Sequence, residues 1–186
     1  MRVSLVDKRP FLPVLIFVSI FFIGVSKAYA DASSVSFFKE NLETSISNKR
    51  VLMVKKGEEI SKFRTVDLEK LPLYEVSLPP IWENEAGPYQ GVLLPDILRA
   101  SGISDARQVR MVALGGYAID LTLAKWPASC LFFATRYQSR EIRVERKGPI
   151  RLLLPCMIKE RDGEMNYREI STVNWIWNLK EIHVLD

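Results

Sequence analysis

Residues 109–123 read Val-Arg-Met-Val-Ala-Leu-Gly-Gly-Tyr-Ala-Ile-Asp-Leu-Thr-Leu, and this stretch decides the fold class. On its C-terminal side Tyr117, Ile119, Leu121 and Leu123 alternate with small or polar residues. Two β-prone runs joined by a two-residue Gly-Gly turn are typical of a β-hairpin. The stretch therefore predicts an antiparallel pair of strands at residues 109–114 and 117–123.

The sequence on both sides of this hairpin carries further strand patterns and a few helix patterns. Strands are predicted at residues 51–54, 74–78, 131–135, 141–144, 150–154 and 182–184. Short helices are predicted at residues 65–71, with Thr65 as N-cap, and at 94–101, where Pro95 lies in the first turn and Gly102 follows the end. Residues 84–91 are rich in turn formers and predict a turn. Many strands with few short helices indicate an α+β domain with mixed or antiparallel sheets.

The first thirty residues have the pattern of an export signal. Arg2, Lys8 and Arg9 precede an uncharged apolar run at residues 11–25, and Ala28-Tyr29-Ala30 follows it. Fifteen helical residues rise only about 22 Å, which is short of a hydrocarbon core of about 30 Å. The pattern predicts a cleaved Sec-type signal peptide at residues 1–30, cut after Ala30, and a periplasmic location without a stable membrane span after cleavage. The alternative is an uncleaved anchor helix.

The remaining chain is predicted to form an extension at residues 31–50 and one domain at 51–186. Phe38, Leu42 and Ile46 are spaced four residues apart, which predicts a short amphipathic helix in the extension. No internal repeat and no flexible linker divides the rest, and its length suits a single domain.

The charge balance changes once the signal is set aside. The whole chain has 26 Lys and Arg residues against 22 Asp and Glu residues, a net charge of +4. Residues 1–30 carry four of these cations and one anion, so residues 31–186 have a net charge of +1. The mixed-sign run at 143–147 is typical of a solvated turn. Because nucleic-acid binding needs a clustered basic surface, the sequence predicts no nucleic-acid partner.

Residues that carry catalysis or bind metals are scarce. His183 is the single histidine, and no nucleophile elbow or phosphate-binding glycine loop is present. Two cysteines and one histidine do not make a zinc cluster. The sequence therefore predicts no catalytic residue and no metal ligand.

Cys130 and Cys156 are the two cysteines of the chain. Cys130 precedes the strand predicted at 131–135, and Cys156 follows the strand predicted at 150–154. If these strands pair antiparallel, the two thiols meet, and an oxidising compartment would keep a disulfide. The alternative is two buried thiols that pack as small apolar groups.

Four tryptophans, Trp82, Trp126, Trp175 and Trp177, are many for a domain of this size. Packing in the core or at its rim explains them, and a ligand groove is the alternative. Arg136 follows an apolar strand directly, where an anion-binding residue could lie. Trp82, Arg136, Trp175 and Trp177 are therefore the candidate residues for a groove.

Five segments in order resemble the molybdopterin-binding domain of sulfite-oxidase-type oxidoreductases. In that family the corresponding motifs are an aromatic-x-Gly-Val-Pro-Leu-x-Asp-Leu-Leu segment, a Gly-Tyr hairpin, two strands and a terminal Trp-x-Leu-x-x-Ile-x-Val. They are matched here by residues 89–98, 114–121, 131–136, 147–155 and 177–184. The resemblance spans most of residues 51–184 and implies a sulfite-oxidase-like α+β fold.

The departures from the family pattern bear on function. The family's enzymes hold molybdenum through a cysteine near the end of an early strand, where this sequence has Ser77 and no cysteine. They also use a lysine near the C-terminal end of the domain to hold the cofactor, and at the corresponding position this sequence has Trp177 or Asn178. An unfolded Sec-type export would not carry a cofactor inserted in the cytoplasm.

These departures predict a periplasmic module that binds a small ligand or a partner protein, without redox catalysis or a cofactor. The alternatives are a molybdopterin-dependent oxidoreductase with an atypical metal ligand and a structural accessory subunit.

Overall fold

A computed structural model of the chain describes residues 35–38, 40–81, 85–158, 160–161, 164–165 and 174–186. The architecture is α+β, with mostly antiparallel sheets and few helices, as the sequence predicts. The strands of the described residues are, in chain order, β1 (Ser36–Phe37), β2 (Arg50–Lys56), β3 (Glu59–Arg64), β4 (Tyr74–Leu78), β5 (Gly87–Leu93), β6 (Gln108–Ala113), β7 (Ala118–Thr122), β8 (Phe132–Tyr137), β9 (Arg140–Glu141), β10 (Arg151–Leu153), β11 (Glu160–Arg161), β12 (Glu164–Met165) and β13 (Leu179–Val184).

Most of these strands form two sheets. The first sheet has the order β1-β4-β5-β8-β10, with β9 also paired to β8, and all of its pairs are antiparallel. The second has the order β3-β2-β13-β6-β7, and only its β13–β2 pair is parallel. β11 and β12 pair with each other. One contiguous cluster of buried apolar side chains includes residues from both sheets.

The β6–β7 hairpin is confirmed. Val109 pairs with Leu121 and Met111 with Ile119. Val109, Met111 and Leu121 are buried, so one face of the hairpin joins the core. Gly116 in the turn has a φ of +83°, a left-handed conformation that costs glycine little.

Two short α-helices lie in the described residues, α1 (Thr65–Leu68) and α2 (Leu94–Ala100). The predicted cap of the first helix is wrong by one position, because Arg64 is the N-cap and Asp67 accepts hydrogen bonds from its backbone and side chain. The second helix begins at the predicted residue, with Pro95 in its first turn. Four 3₁₀ turns complete the helical structure, at Leu123–Lys125, Ala128–Cys130, Val144–Arg146 and Pro155–Met157.

The turn predicted at 84–91 is wrong in its C-terminal half, where β5 forms the middle of the first sheet. Tyr89, Gln90 and Val92 on this strand are buried. Gly91 is required there, because a Cβ at this position would overlap the carbonyl oxygen of Phe133 on β8. The glycine in this strand therefore serves the close packing of two strands and does not mark a turn of the chain.

The helix predicted in the extension is also wrong. No residue among 35–38 and 40–50 is helical, and β1 instead adds an edge strand to β4. Phe37 packs edge-to-face on Tyr74, with ring centroids 5.9 Å apart, and Ile46 is 95% exposed. The helical spacing of apolar residues fails here because the edge of β4 supplies backbone hydrogen bonds to β1.

The strand predicted at 141–144 is shorter than expected. β9 ends at Glu141, and the 3₁₀ turn Val144–Arg146 follows it. Arg143, which precedes this turn as its N-cap, and Arg146, which ends it, are two of the arginines that shape the site described below.

The signal peptide predicted at residues 1–30 lies outside the described residues. Within the part of the chain that the structure describes, no helix combines the length and the apolar character that crossing a membrane requires.

Candidate functional site

The four groove candidates fall in different places. Arg136 lies on β8, and Trp175 and Trp177 lie in the segment just before β13. The two indole rings are 6.5 Å apart with an interplanar angle of 62°. Trp82 lies outside the described residues. A side chain that the sequence did not single out, Arg151 on β10, lines the same cavity as Arg136 and also lies beside Trp177.

Arg136 is held in a buried ion pair. Its Nε and Nη2 donate to the two carboxylate oxygens of Glu69 at 2.7 and 2.8 Å. Nη2 also donates to the Glu43 carbonyl at 2.7 Å, and Nη1 to that of Ser139 at 3.3 Å. The hydrogen bonds with Glu69 raise the pKa of Arg136. Since the donors of Arg136 are already used within the protein, its role is to hold neighbouring segments of the chain together rather than to bind a ligand.

Arg151 is also buried, with 4% of its side chain exposed. Its Nη1 donates to a Glu85 carboxylate oxygen and to the Tyr89 hydroxyl, each at 3.1 Å, and its Nη2 donates to the Arg146 carbonyl at 2.6 Å. Its guanidinium carbon lies 5.2 Å from the centre of the Trp177 ring, within cation–π distance. Nε of Arg151 is buried and has no hydrogen-bond partner in the described part of the chain.

Glu85 and Lys147 complete this cluster. Lys147 Nζ lies 2.7 Å from the second carboxylate oxygen of Glu85 and 4.9 Å from the centre of the Trp177 ring. Burial raises the pKa of Tyr89 to about 12, so its hydroxyl stays protonated at neutral pH. Trp177 therefore lies beside two cations that share one carboxylate.

A cavity of about 660 Å³ opens beside these buried arginines. We call it the arginine cavity. Its charged lining residues are Arg136, Arg140, Arg143, Arg146 and Arg151, with Glu43 and Glu141. Arg140, Arg143 and Arg146 are exposed, and none of their side chains has a hydrogen bond or ion pair with another described residue. Guanidinium groups present forked donors that match carboxylate and phosphate oxygens, so the cavity is suited to an oxyanion.

The arginines of this site form a local cluster in the sequence. Arg140, Arg143 and Arg146 lie within seven residues, and the mixed-sign run at 143–147 predicts a solvated turn. These residues are exposed, as that prediction implies, but the β9 hairpin and the following 3₁₀ turn bring them to one cavity. Glu85 and Lys147 are 62 residues apart, and no local pattern could have paired them.

Both cysteines are engaged in a disulfide. β8 and β10 pair antiparallel, with Phe132 opposite Leu153, and the adjoining Cys130 and Cys156 are bonded with their Cα atoms 5.2 Å apart. Neither cysteine is therefore available as a thiolate. Ser77 is exposed on β4, and its partner in the sheet is Pro88.

His183 belongs to a network of polar side chains around Glu181 on β13. Its Nε2 lies 2.7 Å from a carboxylate oxygen of Glu181, and Lys55 donates to the same oxygen at 2.5 Å. Among the residues that the structure describes, no group of three or more His, Cys, Asp and Glu side chains has an arrangement that could hold a metal ion.

The Glu181 network makes stability depend on pH in the acid range. Hydrogen bonds, first from Lys55 and then from His183, lower the pKa of Glu181 to about 2. Because this folded-state pKa lies below the ordinary value, the network stabilises the fold at neutral pH, and its contribution is lost as the pH falls from about 4.3 towards 2. We expect Glu181→Gln to be less stable than wild type at pH 7, with a gap that narrows at pH 3, in urea unfolding.

Glu58→Gln is the control, because Glu58 lies in the exposed turn between β2 and β3. It should leave the free energy of unfolding unchanged at both pH values. An equal gap between Glu181→Gln and wild type at pH 7 and pH 3 would contradict the assignment.

Comparison with known proteins identifies no relative, since neither a protein-family model nor a curated protein matches the chain.

Proposed function

We propose that this chain is an exported binding module without redox catalysis, and that its arginine cavity holds a small multivalent oxyanion. The observation that carries the proposal is the set of three exposed arginines, Arg140, Arg143 and Arg146, without a side-chain partner among the described residues. Arg151, with a buried and unpartnered Nε, lies in the wall of the same cavity. A bound oxyanion would accept charge-assisted hydrogen bonds from the three exposed guanidinium groups, which the protein itself leaves to solvent.

The size and the charged lining of the cavity support a small ligand. Its volume of about 660 Å³ lies in the range of ligand pockets, about 300–1,000 Å³. Glu43 and Glu141 also line the cavity and lower its net positive charge, which disfavours an extended polyanion such as nucleic acid, whereas a compact anion can bind among the arginines. A partner protein that inserts one acidic side chain is the other form that this function could take.

We further propose that the fold is related to that of the sulfite-oxidase-type molybdopterin domain. All five resembling segments include regular elements of the expected kind: β5 with α2, the β6–β7 hairpin, β8, β10 and β13. The order of these elements supports the relation, and so does the α+β class.

The residues present do not fit a molybdenum centre. The metal of such a centre needs a soft thiolate ligand, and both cysteines of the chain are bonded to each other. Asn178 stands near the position of the family's cofactor-binding lysine, and its amide donates to the carbonyl oxygens of Val144 and Gly148. We therefore assign no redox step to this chain. Stoichiometric molybdenum in protein purified from its native source would overturn that assignment.

Replacing two arginines of the cavity tests the proposed function. We expect wild-type protein to bind pyrophosphate in isothermal titration calorimetry, with an affinity that falls as salt rises. The double variant Arg143→Ser/Arg146→Ser should bind at least about tenfold more weakly, because charge-assisted hydrogen bonds contribute about 1.5–3 kcal/mol each. Serine at position 146 keeps the backbone carbonyl that Arg151 uses.

Arg107→Ser is the matched control, since it removes one exposed arginine from the loop before β6, outside the cavity. Citrate serves as a second probe with carboxylate instead of phosphate oxygens. If wild type and the double variant bind both probes equally, or neither binds them, the arginine cavity is not an oxyanion site.

A further inference from the structure

A second cavity, of about 570 Å³, lies between α2 and the segment that leads into β8. We call it the apolar cavity. Most of its wall is made of apolar side chains, namely Leu94, Leu98, Ile103, Leu123, Trp126 and Leu131. Leu94, Leu98, Ile103 and Leu131 are buried, and Trp126 is half-buried.

The two cavities lie at opposite ends of one strand pair. β5 pairs with β8 so that Leu93 is opposite Phe132, next to α2, and Gln90 is opposite Arg136, at the arginine cavity. Occupation of one cavity therefore leaves the other open. The inference that follows does not depend on the function proposed for the arginine cavity.

Arg99 gives the apolar cavity a polar edge. It lines the cavity, and 73% of its side chain is exposed. One donor, on Nη1, is used at 2.6 Å by a carboxylate oxygen of Asp96, a residue whose side chain is 9% exposed. Arginine has five N–H donors, and the other donors of Arg99 have no partner among the described residues. A largely buried carboxylate thus holds Arg99 in place while most of its donors point to no protein group.

The walls of the apolar cavity are fixed by bonds within the protein. The backbone N–H of Leu94 donates to the carbonyl of Leu131 at 3.0 Å. Ala128 lines the cavity from the 3₁₀ turn that ends at Cys130, and the disulfide ties this turn to Cys156. A cavity that is formed before binding loses little conformational entropy when a ligand enters.

We propose that the apolar cavity binds a small amphiphilic carboxylate. The apolar body of the ligand would lie against Leu98, Ile103 and Trp126, and its carboxylate would accept hydrogen bonds from Arg99. A ligand without an apolar body would leave the wall in contact with water. A ligand without a charged head would leave the donors of Arg99 to solvent.

Decanoate, below its micellar concentration, is the probe that tests this inference. It should displace 8-anilinonaphthalene-1-sulfonate from the disulfide-bonded protein and change the emission of Trp126. Ala128→Phe places a ring in the cavity and should weaken decanoate binding at least about tenfold. Arg99→Gln should weaken decanoate binding about five- to thirtyfold and leave decanol binding unchanged, because decanol has no carboxylate.

Ala124→Phe is the control for the added ring, since Ala124 is exposed in the adjoining 3₁₀ turn and does not line the cavity. Near-ultraviolet circular dichroism checks that each variant folds. If Ala128→Phe does not fold, Ser104→Trp is the second variant that fills the cavity with a ring. The double variant Arg143→Ser/Arg146→Ser should bind decanoate like wild type, which separates this site from the arginine cavity. No displacement by decanoate, or equal displacement in wild type and a folded filling variant, would overturn the proposal.

Discussion

Arg136→Ala is expected to lower the free energy of unfolding by about 3–5 kcal/mol, because it leaves the buried carboxylate of Glu69 without its partner. The side chains of Arg136 and Glu69 are 4% and 8% exposed, so little water solvates the Glu69 carboxylate. Thr135 also donates to Glu69, at 3.0 Å, but one hydroxyl does not neutralise a buried charge.

The same substitution removes one contact between the extension and the domain, while β1 stays paired with β4. Arg136 donates to the backbone carbonyl of Glu43, which ties residues 40–49 to the first sheet. We therefore expect proteolysis within residues 40–49 to be faster in Arg136→Ala than in wild type, in addition to a lower midpoint in urea unfolding.

An exposed ion pair provides the matched control. Arg110 and Asp120 make a two-pronged pair like that of Arg136 and Glu69, but their side chains are 48% and 51% exposed. Arg110→Ala should cost only about 0–1 kcal/mol. The double variant Arg136→Met/Glu69→Leu should recover much of the stability lost in Arg136→Ala, because it removes both charges. Equal losses for Arg136→Ala and Arg110→Ala would show that burial does not govern this pair.

The elements predicted correctly are those whose pattern is local. The β6–β7 hairpin has its alternation and its glycine turn within fifteen residues, and β4 matches its predicted bounds at Tyr74 and Leu78. For α2, the proline and glycine signals lie within the helix and directly after it. In these segments the propensity and the tertiary environment favour the same structure.

The elements predicted wrongly are those that depend on distant parts of the chain. β5 is a strand because β4 and β8 flank it, and its Gly91 suits the close approach of β8. The extension is not helical because the edge of β4 was free to pair with it. A single sequence gives no direct view of either neighbour, so local turn and helix patterns misled the prediction.

In the candidate site, too, the sequence predicts what depends on local residues and misses what depends on distant ones. The aromatic character of Trp175 and Trp177 makes them groove candidates, and the structure brings the two rings together, with Trp177 beside Arg151 and Lys147. The place of Arg136 after an apolar strand makes it a candidate too, but its donors are used by Glu69 and by backbone carbonyls. Lys147 and its partner Glu85 are 62 residues apart, and Arg136 and its partner Glu69 are 67 residues apart. Sequence spacing cannot reveal such pairs.

Removing the disulfide is the second change with a large expected effect. Cys130 and Cys156 are 26 residues apart, and closing a loop of this size stabilises a fold by about 3–4 kcal/mol in the chain-entropy model. We expect Cys130→Ala/Cys156→Ala to lose stability of this order in urea unfolding. Alanine is chosen because Cys130 is fully buried, and a serine hydroxyl there would need a partner.

Thiol titration of the unfolded wild-type protein provides the check on the bond itself. We expect no free thiol without reductant and two after reduction, and two free thiols without reductant would contradict the disulfide. Reduced wild type should match the double alanine variant in stability, since both lack the same loop constraint.

The two cavities should respond differently to this loss. Ala128, in the wall of the apolar cavity, lies two residues from Cys130, whereas Arg140, Arg143 and Arg146 are held by β9 and the turn after it, at the other end of β8. The double alanine variant should therefore bind decanoate more weakly than wild type and bind pyrophosphate equally well, under conditions where both proteins are folded. Equal weakening of both ligands would mean that the disulfide holds the whole sheet and not only the wall of the apolar cavity.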